Sequence, residues 1–312
     1  MIPAMKGTRR LALLLCLLAL SGGIPMLCLA VEPAQAPVVT LFSKPAQSEV
    51  KKEMTDRHAP DQTRGEPEDQ LRLIEEYRAA VARNPNDAEL LFQLAFALES
   101  HGEIDEAIKE YRAVIEHEPG HVWARNNLGV LYVKKGQYYD AIRKFGEVLF
   151  RDPDHQAARF NSGLTFRKTG EVYAAIRQFH RLLKTNPQHV GALFNLGQIL
   201  FDQGKVDQAI EHYRQAVTID PEFGPGHRYL AKSLMKKGEM AGAVAEYRLA
   251  VRLMPQDSVL RYEFAQALDA DGGQAEAVRE LRRFLDLHPE RPDQESLRQG
   301  AEAKLRALGA SP

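Results

Sequence analysis

The chain is 312 residues long and carries 41 basic and 42 acidic residues, a formal charge of −1. A nucleic-acid binder usually shows a basic excess or stripe, and this sequence has no sustained one. Its two cysteines, Cys16 and Cys28, both lie in the first 30 residues, so a chain cleaved after them has no disulfide, thiol nucleophile or cysteine-held metal.

Leu11 to Leu20 is uninterrupted apolar sequence, preceded by Lys6, Arg9 and Arg10 and followed by small residues up to Cys28-Leu29-Ala30. A basic start, a short apolar run and a small-residue exit predict a secretory signal peptide over residues 1–30, cleaved after Ala30 or after Ser21. The alternative is an uncleaved membrane anchor through residues 11–30. Gly22, Gly23 and Pro25 interrupt that stretch, whereas a span needs about 20 mostly apolar residues. Either way the expectation is an exported protein, periplasmic or anchored to the cytoplasmic membrane facing the periplasm. Thr8-Arg9-Arg10 is a partial twin-arginine signal, but so apolar a core favours the ordinary route. Neither cysteine follows the small residue of a lipoprotein signal.

Residues 31–67 are rich in Pro, Gln, Lys, Glu and Asp without a sustained period, which predicts a disordered linker. Val38 to Phe42 is an apolar island within it, either incidental or a docking peptide. Pro67, Glu68 and Asp69 then open a helix. Its stripe is Leu71, Ile74, Tyr77, Ala80 and Val81, and Pro85 ends it. Residues 68–87 are thus expected to form an N-terminal capping helix.

From there the chain runs on a fixed beat. Pro85, Pro119, Pro153, Pro187, Pro221, Pro255 and Pro289 are spaced by 34 residues. Gly102, Gly136, Gly170, Gly204, Gly238 and Gly272 keep the same period, as do Ala107, Ala141, Ala175, Ala209, Ala243 and Ala277. Four residues beyond each alanine stands a large apolar residue: Tyr111, Phe145, Phe179, Tyr213, Tyr247 or Leu281. A period of roughly 20–50 residues announces stacked repeats. Within one period, Leu193, Leu196, Gly197 and Leu200 recur at helical spacing, Gly204 stops that helix, and Ala209, Tyr213, Ala216 and Val217 stripe a second one. Two helices joined by so short a turn lie antiparallel. Gly197 and Ala209 let the backbones approach, and Tyr213 fills the space beside them.

This pattern resembles the tetratricopeptide repeat family, on residues such as Arg125, Leu128, Gly129, Tyr132, Ala141, Phe145 and Pro153. Six repeats start at Ala88, Val122, Gln156, Val190, Gly224 and Ser258 and span residues 88–291. The resemblance implies an all-α fold, a right-handed superhelical solenoid of antiparallel helix pairs. Residues 292–312, with the stripe Leu297, Ala301, Leu305 and Leu308, are expected to form the C-terminal capping helix that solenoids need. One departure stands out. The family's tryptophan position, the fourth of each repeat, holds Leu91, Arg125, Arg159, Leu193, His227 and Arg261. An arginine there is expected to snorkel its head to water and to loosen the start of its helix.

His117-Glu118-Pro119-Gly120-His121 matches the letters of a zinc-protease motif, which works only when one helix carries both histidines; Pro119 and Gly120 break any such helix. Asp269-Ala270-Asp271-Gly272 lacks the remaining ligands of a calcium loop. No catalytic, metal or cofactor site is expected, and the chain is read as a non-enzyme.

In the family the first helices line a concave groove for peptides or partner helices. The sixth position of successive repeats holds Gln93, Asn127, Asn161, Asn195, Tyr229 and Glu263, and the fifth holds Phe92, Asn126, Phe160, Phe194, Arg228 and Tyr262. The resemblance therefore marks an asparagine ladder flanked by rings, in which each amide can both donate to and accept from a peptide backbone. The alternative is a ladder that only solvates the groove or bonds neighbouring helices. Lys134, Arg167, Lys168, Arg228, Lys232 and Lys236 fall at or near groove positions and suggest an acceptor for acidic stretches or a terminal carboxylate; the alternative is a solvated rim. The reading is a non-catalytic protein-interaction scaffold of the cell envelope, binding another protein in its groove. The alternatives are an oligomerising structural module and an accessory subunit of an envelope enzyme or assembly complex.

Overall fold

The computed structural model describes residues 67–287 and 295–311. The expected signal peptide or anchor, the linker and its apolar island lie outside the described residues. These contain fourteen helices and no strand, divided between two compact units that meet between Thr185 and Asn186.

The first unit holds α1 (Pro67–Arg83), α2 (Ala88–His101), α3 (Ile104–His117), α4 (Val122–Lys134), α5 (Tyr138–Arg151), α6 (Gln156–Lys168) and α7 (Val172–Thr185). The second holds α8 (Val190–Asp202), α9 (Val206–Ile219), α10 (Gly224–Lys237), α11 (Met240–Leu253), α12 (Ser258–Ala270), α13 (Gln274–Leu287) and α14 (Glu295–Ala307). Six hairpins result: α2 with α3, α4 with α5, α6 with α7, α8 with α9, α10 with α11, and α12 with α13. Within each unit the second helix of a hairpin also packs on the first helix of the next. The first helices begin at the six residues that the period marks.

The period has a direct geometric cause. Each of the six turn glycines, from Gly102 to Gly272, has φ between 74° and 94°, a left-handed conformation that strains any residue with a Cβ. The six alanines of the second helices are fully buried. Tyr111, Phe145, Phe179, Tyr213, Tyr247 and Leu281 beside them are at most 1% exposed. A Cβ added at Gly129, Gly163 or Gly197 would come within 2.6, 2.7 and 2.6 Å of the ring of Phe145, Phe179 and Tyr213 respectively. The glycine is thus the socket in which the ring of its hairpin partner sits. Burial of each such ring contributes about 1.5–3 kcal/mol.

The fourth position departs from expectation. Arg125 and His227 are only 4% and 5% exposed, and their heads do not snorkel to water. Each crosses to the second helix of its own hairpin. Arg125 donates to Glu147 at 3.2 Å, Arg159 to Gln178 at 3.3 Å and Arg261 to Glu280 at 2.9 Å; His227 shares a 2.6 Å bond with Glu246. Arg159, His227 and Arg261 also reach the carbonyls of Pro153, Pro221 and Pro255, the prolines ending the preceding repeats. A polar clasp therefore replaces the tryptophan, because a buried charge must find partners where water is excluded.

Histidines cap three first helices. His121, His155 and His189 each accept, through Nδ1, the backbone N–H of Ala124, Ala158 and Ala192 at 3.1 Å. Asp87 and Asp257 serve α2 and α12 in the usual carboxylate way. At the ends, α1 packs on α2 through Ile74, whereas Leu71, expected in its stripe, is 46% exposed. Ala301 and Leu305 of α14 are fully buried against Ala265, Leu281 and Phe284.

Candidate functional site

The first helices carry the candidate face, and the structure divides its residues into two sets. At the fifth position the rings belong to the core. Phe92 is 3% exposed and packs on Tyr111 with 5.6 Å between centroids. Phe160 meets Phe179 at 5.9 Å, and Phe194 meets Tyr213 at 5.7 Å. Asn126 is also buried, donating to Asn127 Oδ1 at 3.2 Å. These four were expected to flank a ligand. One residue along a helix is a turn of about 100°, and that step carries the fifth position into its own hairpin, against the socketed ring.

The sixth position is heterogeneous. Gln93 is half-buried and donates to Glu89 at 2.6 Å. Asn127 is half-buried and donates to the Tyr111 hydroxyl at 3.0 Å. Asn161 is half-buried, and its side-chain amide has no hydrogen-bond partner among the described residues. Asn195 is 2% exposed and donates to the Gly191 carbonyl at 2.7 Å. Of the expected ladder, Asn161 is thus the rung with an uncommitted amide, and Asn195 is a buried residue.

In the second unit Arg228 is not available to a ligand. It donates to Glu263 at 2.7 and 3.0 Å and to Asp257 at 3.0 Å. These two carboxylates outweigh the effect of burial and hold the guanidinium above its ordinary pKa. Lys232 and Lys236 differ. Both are exposed, and neither has a carboxylate partner among the described residues. Lys236 Nζ stands 4.7 Å from the Phe201 ring centroid. Lys232 Nζ lies 6.0 Å from Phe201 and 5.9 Å from Tyr229. Tyr229, half-buried, meets Phe194 edge-on at 5.3 Å. The result is a cluster of two cations over two rings, an arrangement that attracts carboxylates while offering apolar area. Lys237, beside it in sequence, is instead held by Asp207 and Glu239 at 2.9 Å each. Phe201 was not singled out from sequence; its signal was the twelfth position of the repeat, one turn before the hairpin glycine Gly204.

The zinc-motif letters fall apart as the proline dictates. His117 ends α3, and His121 caps α4 with Nδ1 engaged.

Models of the tetratricopeptide repeat match residues 76–109, 99–163, 163–222 and 200–258, together more than half of the chain. No match was found among the curated proteins. Similar solved structures include one titled as the functional characterization of Pseudomonas aeruginosa pilF, with TM-score 0.60, 16% identity, and coverage of 73% of this chain and 99% of that one. A tetratricopeptide repeat protein from Parabacteroides merdae gives TM-score 0.56 at 18% identity, covering 76% and 93%. MamA from Desulfovibrio magneticus gives 0.50 at 21%, covering 55% and 96%. At these identities the likeness is one of fold.

Proposed function

The chain belongs to the tetratricopeptide repeat family, and from that premise we propose that it is a non-catalytic scaffold that holds a segment of another protein along its first helices. Repeats of this family are interaction modules, and stacked hairpins present a long row of equivalent side chains. The observation that carries the reading is the Lys232–Lys236 pair over Phe201 and Tyr229, two cations left without carboxylates. The ligand that completes this cluster is an acidic peptide segment or a chain-terminal carboxylate with an apolar neighbour. Asn161, in the other unit, is the amide that remains for a peptide backbone.

The cell envelope is the proposed location, on the strength of the apolar run Leu11–Leu20 behind its basic start. Arginine at Leu14 and Leu17 would then hold the protein in the cytoplasm, since charges enter the membrane core at high cost. The binding reading is tested by placing a photo-crosslinking residue at Lys232 or Tyr229 in cells and identifying the adduct. A partner that crosslinks at these sites, and that binds the Lys232→Glu/Lys236→Glu variant at least tenfold more weakly, supports it. Equal binding by parent and variant rejects it.

A further inference from the structure

We infer that the outer face of α5 and α7 is a docking surface for an anionic lipid membrane. The inference is independent of the first-helix cluster. Among the exposed large hydrophobic residues described, the three most exposed are Phe150 at 86%, Tyr173 at 83% and Tyr139 at 74%. All three stand on these two helices, which flank α6. Tyr139 and Phe150 are eleven residues apart, three helical turns, so they point within about 20° of one another. Tyr173 occupies the position of Tyr139 one repeat later. Rings this exposed contribute little to the fold.

On α7 the charge beside Tyr173 has one sign, whereas on α5 Arg143, on the side of Tyr139 and Phe150, is paired with Asp140 at 2.6 Å and with Glu147 at 3.8 Å. α7 contains Arg177, Arg181 and Lys184 and no acidic residue. With Tyr173 they fall within about 80° of one helix face, and all are exposed. None has an ion pair among the described residues, whereas other surface cations do: Arg78 with Glu106 at 2.6 Å and Arg248 with Glu276 at 3.0 Å. A ring exposed among the unpaired basic residues of α7, with the two exposed rings of α5, gives the composition of an interfacial surface. The rings enter the headgroup layer, and the cations meet its negative potential. Gly146, between Tyr139 and Phe150 on α5, has open space where a Cβ would point, and a headgroup layer needs no built socket to receive the rings.

The described core runs from Ile74 to Leu305, so a chain starting at Val31 keeps the whole described fold and removes the apolar leader from the experiment. Its sedimentation is measured with vesicles of phosphatidylcholine alone and with about 30% phosphatidylglycerol added, at low and high salt. Binding is expected to the anionic vesicles only, and to weaken with salt. Arg177→Ala/Arg181→Ala/Lys184→Ala should lower partitioning about 100-fold, and Tyr139→Ala/Phe150→Ala/Tyr173→Ala about tenfold. Both variants should keep the parent's circular dichroism, since only exposed side chains change. Failure of the parent to bind anionic vesicles overturns the inference, as does binding that neither variant weakens. If the variants instead dissolve a self-assembled state seen in sedimentation, the occupant is a second copy and the lipid assignment falls.

Discussion

The histidine caps make the repeats acid-sensitive, and the size of the effect follows from the geometry. An imidazole accepts a backbone N–H through Nδ1 only when neutral. Protonation turns that acceptor into a donor and sets a positive charge at the positive end of a helix dipole. Burial pushes His121, His155 and His189 below their ordinary pKa. Glu118 and Glu89 pull His121 partly back up, Arg125 pushes it down, and Asp152 pulls His155 partly up. With folded values below the unfolded value of about 6.5, the unfolded chain binds more protons in the window beneath it. The caps' contribution is therefore complete above about pH 6.5 and is lost as pH falls towards the folded values. His227 opposes this. Its bond to Glu246 raises its pKa, so its contribution is complete below about pH 6.5 and fades as pH rises through its folded value. Three caps at about 1 kcal/mol each, against about 1.5 kcal/mol or more for one charge-assisted bond, leave a net loss of at most about 1.5 kcal/mol between about pH 7.5 and 5. The variant His121→Asn/His155→Asn/His189→Asn keeps a capping oxygen that does not titrate. Urea midpoints by circular dichroism should fall less on acidification for this variant than for the parent, and carboxylate effects are common to both. Equal falls would refute the capping argument. Midpoints rather than fitted free energies are compared, because repeat arrays need not unfold in two states.

Two further outcomes test the packing. Arg228→Met strands Asp257 and Glu263 and should destabilise by about 2–3 kcal/mol, with Glu263→Gln in the same chain recovering much of it; a neutral single variant in thermal unfolding would show that the clasp is incidental. Deleting Asp293 to Pro312 uncovers Leu281 and Phe284, so hydrogen exchange should accelerate in α12 and α13 while α8 and α9 keep their protection; unchanged exchange in α13 would mean that α14 is not a cap.

The architecture was legible in the sequence because each periodic residue has a single geometric duty. Positive φ demands the glycines of the turns, helix crossing demands the small residues, and the sockets demand the rings. Departures from the pattern were harder to read. The buried arginines looked like residues that would seek water, because their clasp partners, Glu147, Gln178 and Glu280, lie about 20 residues away and are not of one type; the repeat position of Gln178 and Glu280 holds Lys144 and His212 in other repeats. The histidine caps were periodic, at His121, His155 and His189, but histidine is not among the favoured capping residues. The fifth-position rings were placed one step too far round the helix. In the family frame the fifth and sixth positions are adjacent; in three dimensions about 100° separates core from face.

The asparagines show how finely neighbours decide availability, and they supply the last test. Asn127 is engaged because the ring across its hairpin, Tyr111, ends in a hydroxyl 3.0 Å away. The equivalent ring opposite Asn161 is Phe179, which has none, and the Asn161 amide is left without a partner among the described residues. Asn195 is buried and bonds its own helix at the Gly191 carbonyl. Replacing all three at once would therefore confuse structure with function. Asn195→Ala should destabilise by about 1 kcal/mol, the net worth of a buried hydrogen bond, whereas Asn161→Ala should stay within about 0.5 kcal/mol. Phe179→Tyr adds a hydroxyl where Tyr111 carries one. It should tie down Asn161 and hold stability constant or raise it slightly. Both Asn161→Ala and Phe179→Tyr should weaken a groove-bound partner several-fold, by about 0.5–1.5 kcal/mol, measured by titration calorimetry with the partner identified by crosslinking. If Asn161→Ala unfolds the protein, the amide is structural. If both variants fold and bind at full strength, the ligand does not use this rung.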